Sequence, residues 1–85
     1  METLKISAKS NPKSVAGAIA AVIEKSGETE LIAIGAGAVN QAVKSIAIAR
    51  GYLAPKGVDL NTVIAFSKVD VSDIEKTAMR FIVKG

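Results

Sequence analysis

A glycine-containing segment between an apolar run and a helix-like stretch carries the most recognisable chemistry in this sequence. It reads IGAGAVNQAVKSIAIAR over residues 34–50. Turns that bind dinucleotide phosphates carry Gly-x-Gly-x-x-Gly; here Gly35 and Gly37 fit, while Asn40 stands at the third position. Asp59 lies near the distance expected for a ribose-binding acid, but it begins a predicted strand rather than ending one. Two other interpretations remain: glycines that allow a tight reversal, or free N–H groups that bind an anion.

The polar residues that follow this turn also allow two interpretations, a ligand contact or a structural role. Asn40, Gln41 and Lys44 lie on one face of the first turns of the predicted helix. Such side chains can donate hydrogen bonds to phosphates or bases, although they are equally typical of an ordinary solvated helix face. The segment is therefore a candidate nucleic-acid contact as well as a structural turn.

Enzymatic chemistry is poorly represented. The chain has no His and no Cys, so it lacks the commonest general base and metal ligand and any thiolate. Its Ser and Lys residues show no spacing that suggests an activated nucleophile. We therefore expect a protein that is not an enzyme and has no metal, no cofactor and no small-molecule substrate.

The length and net charge of the chain further limit the classes of protein to which it can belong. The 85 residues predict one domain covering residues 1–85, and the net charge of +3 permits contact with a polyanion. No stretch approaches the ~18–20 apolar residues of a membrane span. The absence of cysteine and of a leader-like segment predicts a cytoplasmic protein that does not contact membranes.

The first half of the chain predicts a strand and a helix. Residues 3–9 alternate between apolar and polar side chains, as in a half-buried strand. Asn11 is a good N-cap, Pro12 suits the first helical position, and Gly27 is typical of a helix end. The helix is therefore predicted over residues 12–26.

The second half predicts a strand, a helix and a hairpin. Residues 29–35 form a strand, and residues 38–53 form a helix. Its predicted core arc is Ala42, Ile46, Ala49 and Leu53. Residues 58–71 and 76–83 read as two antiparallel strands around a turn-rich acidic segment. The order β-α-β-α-β-β predicts a two-layer α/β domain with a mixed four-stranded sheet and two helices on one face.

The residues also resemble a known family. The segments LKISAKSNPKSVAGAIAAVI and AIGAGAVNQAVKSIAIARGYLAPKGVDL, together with the closing hairpin, closely resemble the stage V sporulation protein S family of bacteria. The likeness covers nearly the whole chain. It implies a cytoplasmic regulatory role in sporulation and septation and does not supply a reaction.

The order of elements is also similar, more distantly, to the Alba chromatin proteins, which have a two-layer α/β fold and act as nucleic-acid-binding dimers. Their backbone-binding loop after the first strand corresponds here to AKSNPK, and the loop after the second strand to GAGAVNQ, which has no Arg. The resemblance and the helix face together imply a set of phosphate or base contacts. The candidate residues are Lys9, Ser10, Asn11, Lys13, Asn40, Gln41 and Lys44. The hairpin tip departs from the pattern, because its acids would repel phosphates.

Two functions from different classes therefore stay open. The first is a nucleic-acid-binding regulator whose ligand is DNA or RNA. The second is a protein-interaction module, an oligomeric scaffold without nucleic-acid binding. Ile48, in the middle of the polar arc of the second helix, and Tyr52, one turn beyond, are candidate interface residues of a homodimer or tetramer. The hairpin also offers a sheet edge that must be covered or blunted.

Two arginines are expected to have structural roles. Arg50 lies towards the edge of the core arc of the second helix, where it could pair with an acid such as Asp59. Arg80 alternates with core residues in the last strand and is expected on the second face of the sheet.

Overall fold

The computed structural model describes all residues from 1 to 85 and contains six principal elements. They are β1 (Glu2–Ile6), α1 (Pro12–Ser26), β2 (Glu28–Ala33), α2 (Ala36–Leu53), β3 (Asn61–Val71) and β4 (Ile74–Lys84), with a short 3-10 turn at Ala54–Lys56. This confirms the predicted order of strands and helices. Neither helix is long and apolar enough to cross a membrane.

The four strands form one mixed sheet in the order β1-β2-β4-β3. β1 and β2 are parallel, as expected for strands joined by a helix, while β4 pairs antiparallel with both β2 and β3. In the centre of the sheet, Leu31 lies between Leu4 and Phe81. β3 is therefore an edge strand, and its only partner in the sheet is β4.

The start and end of α1 follow from local sequence signals. The side-chain oxygen of Asn11 accepts hydrogen bonds from the N–H groups of Lys13 and Ser14, and Pro12 occupies the first turn. Gly27 ends the helix with a positive φ of 82°, and its N–H donates to the carbonyl of Ile23. The predicted helix over residues 12–26 is confirmed.

The core lies between the two helices and one face of the sheet. Both helices pack against each other, and most of the residues that they bury are alanines, which allow the backbones to approach closely. The larger core side chains are Ile19, Leu31, Leu53, Phe81 and Val83. The predicted arrangement of two layers, with both helices on one face, is confirmed.

The buried face of α2 differs from the prediction. The helix begins at Ala36 rather than at residue 38, and Ser45 is fully buried whereas Ile46 is only half-buried. The Ser45 hydroxyl donates a 2.6 Å hydrogen bond to the carbonyl of Gln41, so burial leaves no unsatisfied polar atom. The buried arc of α2 is therefore rotated towards Ser45 relative to the predicted core arc. Part of the face that was predicted to be polar packs against the rest of the chain.

The strand boundaries also differ at two loops. β1 ends at Ile6 because the backbone N–H of Ser7 donates to the Ser10 hydroxyl rather than to a neighbouring strand. β3 begins at Asn61, after the 3-10 turn and the positive-φ residue Gly57. The predicted hairpin is confirmed, but its second strand begins at Ile74 rather than at residue 76, because a two-residue turn at Ser72 and Asp73, both with positive φ, joins the strands.

Candidate nucleic-acid interface

The loop between β1 and α1 is held by its own serines. Ser7 N–H donates to the Ser10 hydroxyl at 2.9 Å, and Ser10 N–H donates to the Ser7 carbonyl at 3.1 Å. The N–H of Lys9 also donates to the Ser7 hydroxyl at 3.2 Å. The backbone of this loop is therefore folded on itself, and the side chain of Lys9 is exposed at its tip.

The next residues form the first turn of α1. The Asn11 oxygen accepts from two backbone N–H groups, Lys13 at 3.0 Å and Ser14 at 3.2 Å. That oxygen is therefore committed to capping the helix, and its amide NH₂ group is the part left to contact a ligand. Lys13 is exposed beside it at the positive end of the helix dipole.

The start of α2 lies near the loop that precedes α1. Two glycines there have different structural roles. Gly35 precedes the helix with φ 90° and ψ 157°, a conformation that a residue with a side chain rarely adopts, and no side chain caps this helix. Gly37 lies against the loop before α1, since a Cβ built there would be 2.9 Å from the Cβ of Ala8. The Gly-x-Gly pattern thus combines a backbone reversal with a close contact between α2 and the loop.

This contact bears on the dinucleotide interpretation. In the dinucleotide fingerprint, the second glycine lets the backbone approach a pyrophosphate. Here the space beside Gly37 is taken by Ala8 of the same chain, and Asn40 is exposed where the third glycine would stand. The pattern is accounted for by packing within the protein.

A hydrogen bond fixes the loop to α2. The side-chain amide of Gln41 donates to the carbonyl of Ser10 at 2.8 Å, over a separation of 31 residues. Lys44 is exposed one turn further along the helix, and Asn40 is exposed beside Gln41. The structure therefore brings the two predicted segments, residues 9–13 and 40–44, to one side of the molecule.

An open cleft lies between these segments. Its volume is about 550 Å³, and its walls are Asn11, Pro12, Lys13, Lys44, Ala47 and Ile48. Lys13 and Lys44, which belong to different helices, thus line one cleft. Ala47 is a lining residue that the sequence did not single out, because only the packing of α1 against α2 places it there.

The segments that form this side carry lysines and no acidic residues. No Asp or Glu occurs in residues 3–23 or 31–58, which contribute all of the walls and loops described above. Lys9, Lys13 and Lys44, here called the lysine patch, make no salt bridge within the chain. By contrast, the cations with acidic partners are Arg50, Lys56, Lys68 and Arg80. The lysine patch therefore has charge available for an anionic ligand.

The two arginines have the structural roles predicted for them. Arg50 donates to the Asp59 carboxylate at 2.7 Å and to the carbonyl of Leu60 at 3.1 Å, which ties α2 to the start of β3. Arg80 lies on the face of the sheet opposite the helices and pairs with Glu30.

The Glu30 carboxylate is also held by a second residue. It accepts a 2.7 Å hydrogen bond from the hydroxyl of Thr3. This bond, followed by the bond from Arg80, lowers the pKa of Glu30 below its ordinary value.

The predicted interface residues have mixed environments. Ile48 is half-buried, lines the cleft and packs partly against the core, so the polar arc around it is not fully solvated, and its role in an interface stays a prediction. Tyr52 is exposed. Apolar side chains that are more exposed than Tyr52 occur on β3, at Val63, Ile64 and Phe66. Sequence alternation could not find them, because it does not tell an edge strand from a central one.

Comparison with known protein families gives a match over essentially the whole chain. The family model for stage V sporulation protein S matches residues 2–85.

Proposed function

We propose that this chain, which belongs to the stage V sporulation protein S family, is a non-enzymatic regulator of sporulation and septation that binds nucleic acid. Membership of the family assigns the chain a role in sporulation. The proposed contact is with the phosphate backbone, through the lysine patch and the polar groups around it. The proposed polar contacts are Ser10, the Asn11 amide, Asn40 and Gln41.

The observation that carries the proposal is the convergence of unpaired cations from distant parts of the sequence. Lys13 and Lys44 line the same cleft, and the Gln41–Ser10 hydrogen bond fixes the loop that bears Lys9 beside them. Phosphate contacts by lysine supply most of the sequence-independent affinity of nucleic-acid-binding proteins. The uncapped N-terminus of α2 adds backbone N–H groups near the same loop.

The hairpin tip, which extends from the end of the sheet at which β1 and β2 lead into their loops, does not suit a polyanion. The hairpin tip carries Asp70, Asp73 and Glu75, and Lys68 there is paired with Glu75 at 3.6 Å. We therefore expect the nucleic acid to lie along the helix and loop side and to avoid the tip. This orientation differs from that of the Alba chromatin proteins, in which the final hairpin also reaches the nucleic acid.

The test is a binding assay across a salt series, with duplex DNA, single-stranded DNA and structured RNA as separate arms. Wild-type protein is expected to bind at low salt. Three neutralised phosphates give a slope of log K against log salt of about −2.7 for duplex DNA, at ~0.9 per phosphate. The arms determine which nucleic acid is preferred, because no base-reading motif in the sequence decides it.

The decisive comparison uses two triple variants of equal charge. One carries Lys9→Glu, Lys13→Glu and Lys44→Glu in the lysine patch. The other carries Lys25→Glu, Lys76→Glu and Lys84→Glu, which are lysines outside the patch that also lack salt bridges. Loss of binding in the first but not the second supports the proposed surface. Equal loss in both, or equal affinity at low and high salt in the wild type, contradicts it.

One observation favours the second candidate function, an interaction module. β3 exposes several apolar side chains along an unpaired sheet edge. If a folded protein binds none of the three nucleic acids at low salt, this function replaces the first.

A further inference from the structure

The cleft between α1 and α2 combines positive charge with an apolar lining. Its volume of about 550 Å³ falls within the range of ~300–1,000 Å³ that is usual for sites that bind small molecules. Besides the two lysines, its lining includes the Pro12 ring, the Ala47 methyl group and the side chain of Ile48. Contact with phosphates alone needs only exposed cations, so the apolar lining indicates that the cleft suits a ligand with an apolar part as well.

The backbone at the start of α1 has no N–H group left for an anion in the cleft. The side-chain oxygen of Asn11 accepts from the N–H groups of residues 13 and 14, and the N–H of Val15 donates to the Asn11 carbonyl at 3.0 Å. Pro12 has no N–H. An anion there would therefore be bound by the ammonium groups of the two lysines. Because like charges that line one cleft repel each other, an anion between them is favourable for both.

Asn11 supplies the one neutral hydrogen-bond donor among the side chains of the cleft. Its oxygen caps α1, so its NH₂ group is the part that remains free. Carbonyl oxygens and ring nitrogens on the edges of nucleobases accept hydrogen bonds from such groups. A nucleotide therefore matches all three features of the cleft, with an anionic phosphate, a flat and largely apolar base, and acceptors on the edge of that base.

The base that enters such a cleft has to be unpaired. In a duplex the bases are paired and stacked, so a duplex presents its phosphates and sugars to a protein surface of this kind. The two lysines can contact those phosphates, but the apolar lining would stay unfilled. An unpaired nucleotide can turn its base out of the stack and into the cleft. Residues 1–51 contain no aromatic side chain, so this base would pack on aliphatic groups.

We propose that the cleft binds one nucleotide unit with an unpaired base, with its phosphate between the two lysines and its base against the apolar lining. The NH₂ group of Asn11 then donates to the edge of the base. This inference rests on the proposed function, because it names the part of the nucleic acid that enters this site. A single strand should therefore make a contact that a duplex cannot. A free mononucleotide has the same chemistry, and the experiment separates these two sources.

The experiment measures binding at low salt to a single-stranded DNA that carries 2-aminopurine and to the duplex of the same sequence. Stacking quenches the fluorescence of 2-aminopurine. Wild-type protein is expected to raise this fluorescence in the single strand and not in the duplex, because the bound base leaves its neighbours and meets no aromatic residue. Binding of the single strand without a rise in fluorescence overturns the proposal.

Two alanine substitutions form a matched pair. Ala47→Leu adds a branched side chain to the cleft without changing the charge, whereas Ala18→Leu adds the same group at an exposed site on α1 outside the cleft. Ala47→Leu should weaken binding of the single strand about fivefold to tenfold, which is the lower part of the range for one base on a protein side chain. Its effect on the duplex should be smaller, and Ala18→Leu should behave as wild type. Thermal unfolding checks that both variants fold.

A third variant tests the hydrogen bond to the base. Asn11→Ser keeps an oxygen that can cap α1 and removes the NH₂ group. It should retain wild-type stability and bind the single strand more weakly. Unchanged affinity for the single strand would remove the Asn11 amide from the proposed site.

AMP and inorganic phosphate test the cleft without any nucleic acid. In a titration followed by nuclear magnetic resonance, AMP should shift the backbone resonances of Ala47 and Ile48. Inorganic phosphate at the same concentration should not, because it has no base to contact these residues. Equal shifts with both ligands would show that the base makes no contact and would overturn the proposal.

The inference and the proposed function can fail separately. If nucleic acid binds, but Ala47→Leu matches Ala18→Leu in affinity and fluorescence, the inference is wrong and the proposed function stands. If no nucleic acid binds, but AMP shifts the resonances of Ala47 and Ile48, the proposed function is wrong and the cleft remains a nucleotide site. If neither nucleic acid nor AMP binds, both are wrong.

Discussion

The side-chain amide of Gln41 donates a 2.8 Å hydrogen bond to the backbone carbonyl of Ser10, and so joins α2 to the loop that precedes α1. Lys9 lies on that loop and Lys44 lies one turn beyond Gln41. The relative positions of two cations in the lysine patch thus depend on an uncharged residue. Gln41 has a positioning role in addition to the direct contact predicted for it.

Replacing Gln41 by Ala should loosen the loop without changing the charge. We expect the free energy of unfolding to fall by ~0.5–1.5 kcal/mol, the usual net value of one hydrogen bond. Affinity for nucleic acid should also fall. Chemical denaturation and binding at fixed salt measure the two effects. Asn40→Ala is the control for stability, because Asn40 is exposed, and wild-type stability in Gln41→Ala would contradict the positioning role.

Gly37 is expected to be coupled to Ala8. A Cβ at residue 37 would lie 2.9 Å from the Ala8 Cβ, so Gly37→Ala must displace the loop. In an Ala8→Gly background the contact is relieved, and the better helix propensity of Ala should stabilise the protein by up to ~1 kcal/mol. A double-mutant cycle by denaturation should therefore give a non-zero coupling energy. Independent effects of the two substitutions would exclude the contact.

The parts of the fold that could be predicted have local causes. Asn11, Pro12 and Gly27 each act within a few residues, so the limits of α1 follow from sequence alone. The hairpin was predicted as two antiparallel strands, but its two-residue turn and the start of its second strand at Ile74 were not. The buried face of α2 could not be predicted in this way. The Ser45 hydroxyl bonds to its own helix and behaves as a small core residue, which a polar–apolar pattern assigns to the surface.

The sequence could predict which residues form the candidate site, but it could not predict how they are arranged in space. The types and exposure of Lys13 and Lys44 follow from their helix faces, but their common cleft depends on how α1 packs against α2. For the two glycines before and within α2, the sequence predicts the location of an unusual backbone but not its structural cause. The pattern predicts a special backbone at Gly35 and Gly37, but sequence alone cannot distinguish a positive φ from a close contact with Ala8.

Glu30 should make stability depend on acidity. Hydrogen bonds from Thr3 and then Arg80 hold its pKa below the ordinary value of 4.5. A carboxyl group with a lowered pKa in the folded state stabilises the protein fully above the unfolded pKa. That stabilisation is lost as the pH falls from about 4.5 through the lower folded pKa of Glu30.

Glu30→Gln should therefore lower stability at neutral pH and flatten its dependence on pH in that acidic range. Denaturation at a series of pH values measures this. Glu75→Gln breaks the more exposed pair with Lys68 and should have a smaller effect. An unchanged pH profile in Glu30→Gln would show that the Thr3 and Arg80 contacts do not stabilise the folded state.

Asn11 separates folding from binding, because its oxygen caps α1 while its amide group remains free. Asn11→Ala removes the cap and should cost ~1 kcal/mol of stability. Asn11→Asp keeps the cap, since Asp is about as good at this position, but it replaces a donor with a negative charge beside Lys13. We therefore expect Asn11→Asp to be as stable as wild type and to bind nucleic acid more weakly than Asn11→Ala. Denaturation and binding at low salt give both quantities, and the opposite order of affinities would remove Asn11 from the proposed interface.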